Sequence, residues 1–162
     1  MRILPTFLAA ALFIGAGTAL ADDYAVGQLE IGQPWARATP PGASTGGGFL
    51  TVTNEGETAD RLVSAASPIA GRVEIHEMRV TDDVMKMRPI ADGVAIPAGE
   101  TVEFKPGAFH IMFLELKGPI EQGEPVPVTL TFEKAGSIEV EMVVAPPGAP
   151  GPEHGHEHEG GH

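Results

Sequence analysis

Apolar and polar positions alternate along much of the chain, and the alternation predicts strands. It is clearest from Arg72 to Val80, where Val73 and Ile75 fall on one face and Glu74, His76 and Met78 on the other, the period of two expected of a half-buried strand. Thr81-Asp82-Asp83 turns the chain into Val84-Met85-Lys86-Met87-Arg88, in which Met85 and Met87 share a face, so the two runs predict a hairpin. A first strand is predicted at Leu29-Glu30-Ile31, interrupted near Gly32 and Pro34 and resuming at Trp35-Ala36-Arg37. Others are predicted at Phe49 to Thr53, Arg61 to Ala65, Val94 to Ile96, Thr101 to Phe104, His110 to Leu116, Val126 to Phe132 and Ser137 to Val143. Turn signals such as Asn54-Glu55-Gly56-Glu57, Pro97-Ala98-Gly99 and Lys105-Pro106-Gly107-Ala108 separate them, and Thr39 to Gly48, ending in three glycines, reads as a loop whose glycines permit close packing or positive φ. Trp35, the single tryptophan, reads as a core anchor. No long stretch has the helical period. The pattern therefore predicts an all-β domain, a two-sheet sandwich of roughly eight short strands.

The two ends of the 162-residue chain differ from this middle. Residues 1–21 read as a secretory signal peptide, with Arg2 at the start, an apolar run from Ile3 to Leu20 and a small-x-small cleavage pattern at Ala19-Leu20-Ala21. The mature chain would begin at Asp22, secreted and with no membrane span after cleavage. Residues 22–144 form the predicted sandwich. Residues 145–162 begin as Ala-Pro-Pro-Gly-Ala-Pro-Gly-Pro, predicted to be an extended linker, and end in a disordered His-rich tail.

Charge and cysteine usage narrow the chemistry. The net charge of −12 becomes −13 once a leader whose only charge is Arg2 is removed; so acidic a chain repels phosphate backbones and anionic lipid, which argues against nucleic acid and membrane-surface partners. There is no cysteine. That excludes a disulfide framework, a lipid-bearing cysteine after the leader, a thiolate zinc site and a blue-copper electron-transfer centre.

The remaining chemistry concentrates between His76 and Met112. His76-Glu77-Met78, Met85-Lys86-Met87 and His110-Ile111-Met112 each lie in a predicted strand, so each triplet projects two donor side chains to one side. Outside the initiator and the tail, the triplets take in every histidine and every methionine but Met142. Methionine is ordinarily a filler of core gaps, but Val73, Ile75, Ile111 and Phe113 already supply the apolar faces. Thioether is a soft donor suited to Cu(I) and poor for hard cations or zinc. The pattern points to copper.

With these residues in view, the chain resembles the periplasmic copper chaperone family called PCu(A)C. The resemblance is carried by Trp35-Ala36-Arg37-Ala38-Thr39-Pro40-Pro41-Gly42, the His76-Glu77-Met78 and Met85-Lys86-Met87-Arg88 pair, Ile96-Pro97-Ala98-Gly99, and Lys105-Pro106-Gly107-Ala108-Phe109-His110-Ile111-Met112. It implies a cupredoxin-like, Greek-key β-sandwich that binds one Cu(I) through His76, Met87, His110 and Met112, with Met78 as reserve ligand and Met85 close by. Ten residues lie between His76 and Met87, as in the family; twenty-two lie between Met87 and His110, one more than usual, which a surface turn absorbs. The resemblance also implies a partner: the copper subunit of cytochrome c oxidase, or another copper chaperone.

In the tail, His154, His156, His158 and His162 stand among Glu153, Glu157 and Glu159, a donor set for Cu(II), with Zn(II) or Ni(II) also accommodated. The competing readings are a copper sequestration or tolerance protein and a structural sandwich with a metal-buffering tail. An enzyme is not expected: a serine elbow is absent, cleavage leaves Asp22 instead of an N-terminal histidine, and thioethers favour a single copper oxidation state.

Overall fold

The computed structural model describes residues 23–152; the expected signal peptide and the four tail histidines lie outside the described residues. Those residues contain eleven strands and no helix: β1 (Tyr24–Val26), β2 (Leu29–Arg37), β3 (Thr45–Asn54), β4 (Asp60–Ala66), β5 (Ala70–Thr81), β6 (Val84–Pro89), β7 (Val94–Ile96), β8 (Thr101–Phe104), β9 (Phe109–Leu116), β10 (Val126–Phe132) and β11 (Gly136–Ala145). Pairing runs continuously in the order β6-β5-β9-β8-β3-β2-β11-β10-β4-β7, with β1 on β2 and a second contact of β9 with β3. β11 belongs to both layers. Residues up to Met142 pair antiparallel with β10, whereas Val143–Ala145 pair parallel with Trp35–Arg37 of β2.

One core fills the space between the layers. Ile31, Leu50, Val52, Ile75, Ile111 and Phe113 from one side meet Leu62, Val128, Leu130 and Val140 from the other, all buried. Alternation explains the division: along β10, Val126, Val128, Leu130 and Phe132 are buried while Pro127, Thr129 and Thr131 are half-exposed. A fully buried Phe or Leu contributes roughly 1.5–3 kcal/mol.

The all-β sandwich expected from the sequence is thus present, with three differences in detail. β1 had no signal in so short a run, while the other ten strands correspond to the ten predicted runs, more than the rough figure of eight. The expected loop ends earlier than Gly48, because Thr45 to Gly48 pair with Leu114 to Ile111 of β9. The glycines there serve close packing, not turning: a Cβ on Gly48 would lie 2.8 Å from Met142 Sδ, closer than any side chain tolerates. Third, Ala145 closes β11 and Ala149 is buried against Trp35 and Phe49, so the first residues of the expected linker pack on the domain.

The predicted interruption of the first strand is a register shift between Gly32 and Trp35, with Gln33 at a φ of 49°. This bulge re-aims Trp35 onto the outer face of the sheet. Trp35 anchors a small separate cluster with Phe49, Ala145 and Ala149 instead of joining the main core.

Candidate metal centre

Three neighbouring strands, β6, β5 and β9, place the sequence-predicted donors. His76 sits directly opposite His110 across β5–β9 and opposite Pro89 across β5–β6. Glu74 is opposite Met112, and Met78 is opposite Met87. Residues directly opposite on an antiparallel pair share a face about 4.5–5.5 Å apart at Cβ, and diagonal neighbours are about 7–8 Å apart. His76 is therefore the centre of the arrangement, with His110 opposite and Met87 and Met112 each one diagonal away. Met78 follows His76 on the same face. Met85 pairs with Val80, a further step along the hairpin, and is set apart from the group.

The imidazoles are held firmly. The two rings have centroids 5.7 Å apart at an interplanar angle of 56°, and His76 and His110 are 8 % and 6 % exposed. His76 Nε2–H donates to Glu74 Oε2 at 2.8 Å, and Glu74 is held in turn by Arg72 Nε at 2.9 Å. That bond leaves the lone pair on His76 Nδ1, which is buried and has no hydrogen-bond partner. An orphaned buried nitrogen costs about 1–3 kcal/mol, a cost that a metal ion would remove. His110 Nδ1–H donates to the Ala108 carbonyl at 3.3 Å, leaving its lone pair on Nε2. Both rings are thus oriented by a second partner, as metal-binding histidines are. Burial pushes the His110 pKa below its ordinary value, against the pull of the Ala108 carbonyl, and the neighbouring His76 lowers it further. A neutral ring is the form that ligates.

The thioethers differ. Met78 and Met112 are half-buried, whereas Met87 and Met85 are 48 % and 59 % exposed, on a strand whose every residue is exposed. On the hairpin's other face, Glu77 bonds Arg88 at 2.9 Å and Arg79 at 3.0 Å, and these arginines hold its carboxyl below its usual pKa. Among the described residues, no three side chains of the His, Cys, Asp and Glu types gather to hold a metal. The side chains of this face that could join the two imidazoles as donors include the thioethers of Met78, Met87 and Met112, soft donors suited to a soft ion.

Sequence reasoning overlooked two neighbours of this face. Glu74 carries the orienting bond to His76, and its i, i+2 spacing was the available signal. Phe49 brings its ring to 6.5 Å from His110 and 4.5 Å from Trp35, a contact across strands distant in sequence that no local pattern reports.

Comparison with known proteins places the chain in a family and a fold. The family model described as "Putative lipoprotein LpqE-like" matches residues 29–144. The "Putative lipoprotein Lxx21020" of Leifsonia xyli subsp. xyli (strain CTCB07) is 31% identical over 116 residues, covering 72% of this chain and 69% of the relative. The copper-bound PCuAC domain from PmoF2 superposes with a TM-score of 0.66 at 27% identity, over 78% of this chain and 99% of that one. The solution structure of CuI-DR1885 from Deinococcus radiodurans gives 0.55 at 27% identity, over 76% and 80%.

Proposed function

The chain belongs to the LpqE-like, PCu(A)C family, and from that premise we propose that it is a copper carrier, not an enzyme, whose cargo is Cu(I). The observation that supports this most directly is the pair of opposed imidazoles, each oriented by a second hydrogen bond, with His76 Nδ1 buried and unpartnered. His76, His110, Met87 and Met112 supply the ligands, with Met78 in reserve. Copper bound in relatives of the same fold supports the cargo.

Neutral ligands suit a carrier. None of the four carries charge in its ligating form, so a recipient can replace them one at a time without separating opposite charges. The exposed Met87 is the natural first ligand to leave, while the buried histidines hold the ion during exchange. The carrier works in the periplasm after removal of residues 1–21, and passes copper to the copper subunit of cytochrome c oxidase or to another chaperone. His154, His156, His158 and His162 capture Cu(II) separately.

The test is anaerobic competition for Cu(I) against a colorimetric chelator, using the full chain with all four tail histidines changed to alanine. The reading expects one tightly held equivalent, lost on adding Met87→Leu and Met112→Leu while the amide spectrum of the fold is kept. No Cu(I) bound before those changes would leave a sandwich with a metal-buffering tail.

A further inference from the structure

The five methionines among the described residues form a series of exposure. Met142 is fully buried, its sulfur so close to Gly48 that a Cβ there would lie 2.8 Å away. Met78 and Met112 are half-buried, and Met87 and Met85 are the most open, at 48 % and 59 %. These last two stand two residues apart on β6, so they share a face about 7 Å from one another along the strand, and every residue of that strand is exposed. Met85 serves neither the core nor the metal centre. It lies opposite Val80, beyond the donors around His76, and an exposed thioether fills no core gap, the ordinary task of methionine.

A thioether that solvent reaches is a reductant. No thiol competes with it in this chain, which has no cysteine, so methionine is its only sulfur. A peroxide reacts by giving up one oxygen atom: the sulfur lone pair attacks the O–O bond, an S–O bond forms as the O–O bond breaks, and sulfur loses two electrons. The departing hydroxide takes the proton of the transferred oxygen and leaves as water, and the product is methionine sulfoxide. Position decides what that costs. On Met142 the new oxygen would be a polar atom in the apolar core, whereas on β6 it is solvated and the fold is undisturbed. The effect on β6 is instead chemical. A sulfoxide presents a hard oxygen where the thioether presented a soft sulfur, so Met87 loses its match to a soft ion, while at Met85 nothing that the centre depends on is lost.

We propose that Met85 and Met87 are a sulfoxidation site at the open end of the β5–β6 hairpin, each taking one oxygen from a peroxide, and that the change at Met87 is a reversible off-switch for the soft-ion centre. The switch rests on the proposed function; the site itself stands on exposure and sulfur chemistry. Reversal is the work of a thiol-dependent methionine sulfoxide reductase: the sulfoxide oxygen leaves as water while two thiols become a disulfide. The same exposure that lets Met87 be the first ligand to leave makes it the first ligand to be oxidised.

The test treats the full, metal-free chain, its four tail histidines changed to alanine, with hydrogen peroxide under native conditions and follows the gain of one oxygen at each methionine by peptide mass mapping. Met85 and Met87 are expected to oxidise first, Met78 and Met112 after them and Met142 last, with the amide spectrum of the fold kept; in denaturant the order is expected to vanish. Oxidation spread evenly over the native chain, or led by Met78, Met112 or Met142, would overturn the site. Protein oxidised only on the hairpin is expected to lose its tight Cu(I) in competition against a colorimetric chelator. Treatment with both epimer-specific methionine sulfoxide reductases and dithiothreitol, removed before the assay, is expected to restore it. Met85→Leu is expected to show the same loss and recovery, which assigns the switch to Met87; an unchanged Cu(I) affinity with Met87 oxidised would overturn the switch. A chain that binds no Cu(I) before oxidation yet oxidises in this order would end the carrier reading and leave the site standing.

Discussion

β5 is one strand with two unlike halves. From Ala70 to Glu77 it is laddered to β9 over a buried face of Ile75, Ile111 and Phe113, and its histidine is fixed by Glu74 and matched by His110. From His76 to Thr81 it is laddered to β6, where neither face meets the second layer and Val80, Val84, Met85 and Met87 stand exposed. The imidazoles lie on the half that packing makes rigid, the accessible thioethers on the half that stays exposed among the described residues. The difference teaches how one sheet can both retain an ion and release it: retention draws on the core, release on an edge.

The largest effects separate the halves through stability. Phe113→Ala beneath the ladder is expected to cost about 3–5 kcal/mol, measured by denaturant unfolding, whereas Val84→Ala on the hairpin stays within about 0.5 kcal/mol. Equal costs would erase the distinction. Next, Glu74→Gln weakens the acceptor that orients His76 and is expected to lower Cu(I) affinity about 10–100-fold with the fold retained; an unchanged affinity would remove Glu74 from the account.

The alternation of β5 and the hairpin into β6 were legible in the sequence because both are local: a period of two and an Asp-Asp turn suffice. So was the grouping of donors, since i, i+2 spacing fixes a face without knowledge of partners. The close packing that the glycines of β3 permit is present, against Met142 and Ile120, but their pairing with β9 was hidden because the partners lie far away along the chain. The packing of Ala149 on the domain was invisible for the same reason. It depends on Arg37, more than a hundred residues earlier, and the surrounding Pro-Gly sequence says only what cannot form a core.

Smaller differences probe the edges of the comparison. Amides of β6 are expected to exchange with solvent faster than those of β9, since local opening is easiest where few apolar contacts oppose it; comparable protection would contradict a pliable hairpin. The far layer supplies a control. Asp60 on β4 is buried, which raises its pKa, but backbone N–H groups of Lys134, Arg61 and Ala135 outweigh burial and hold it below the usual carboxylate value. A depressed carboxylate contributes stability that is full above its unfolded value and lost as pH falls through the folded one. The advantage of the parent over Asp60→Asn is therefore expected to shrink below about pH 4, read by acid unfolding, with no change in Cu(I) stoichiometry at neutral pH.

The central claim is that imidazoles from the ladder and thioethers from its edges hold the same ion. X-ray absorption at the copper edge tests it most directly, on the Cu(I)-loaded full chain with the four tail histidines changed to alanine. The account predicts a first shell containing both nitrogen and sulfur, with the sulfur contribution lost in Met87→Leu with Met112→Leu. A shell of nitrogen alone, the same with and without those methionines, would contradict it.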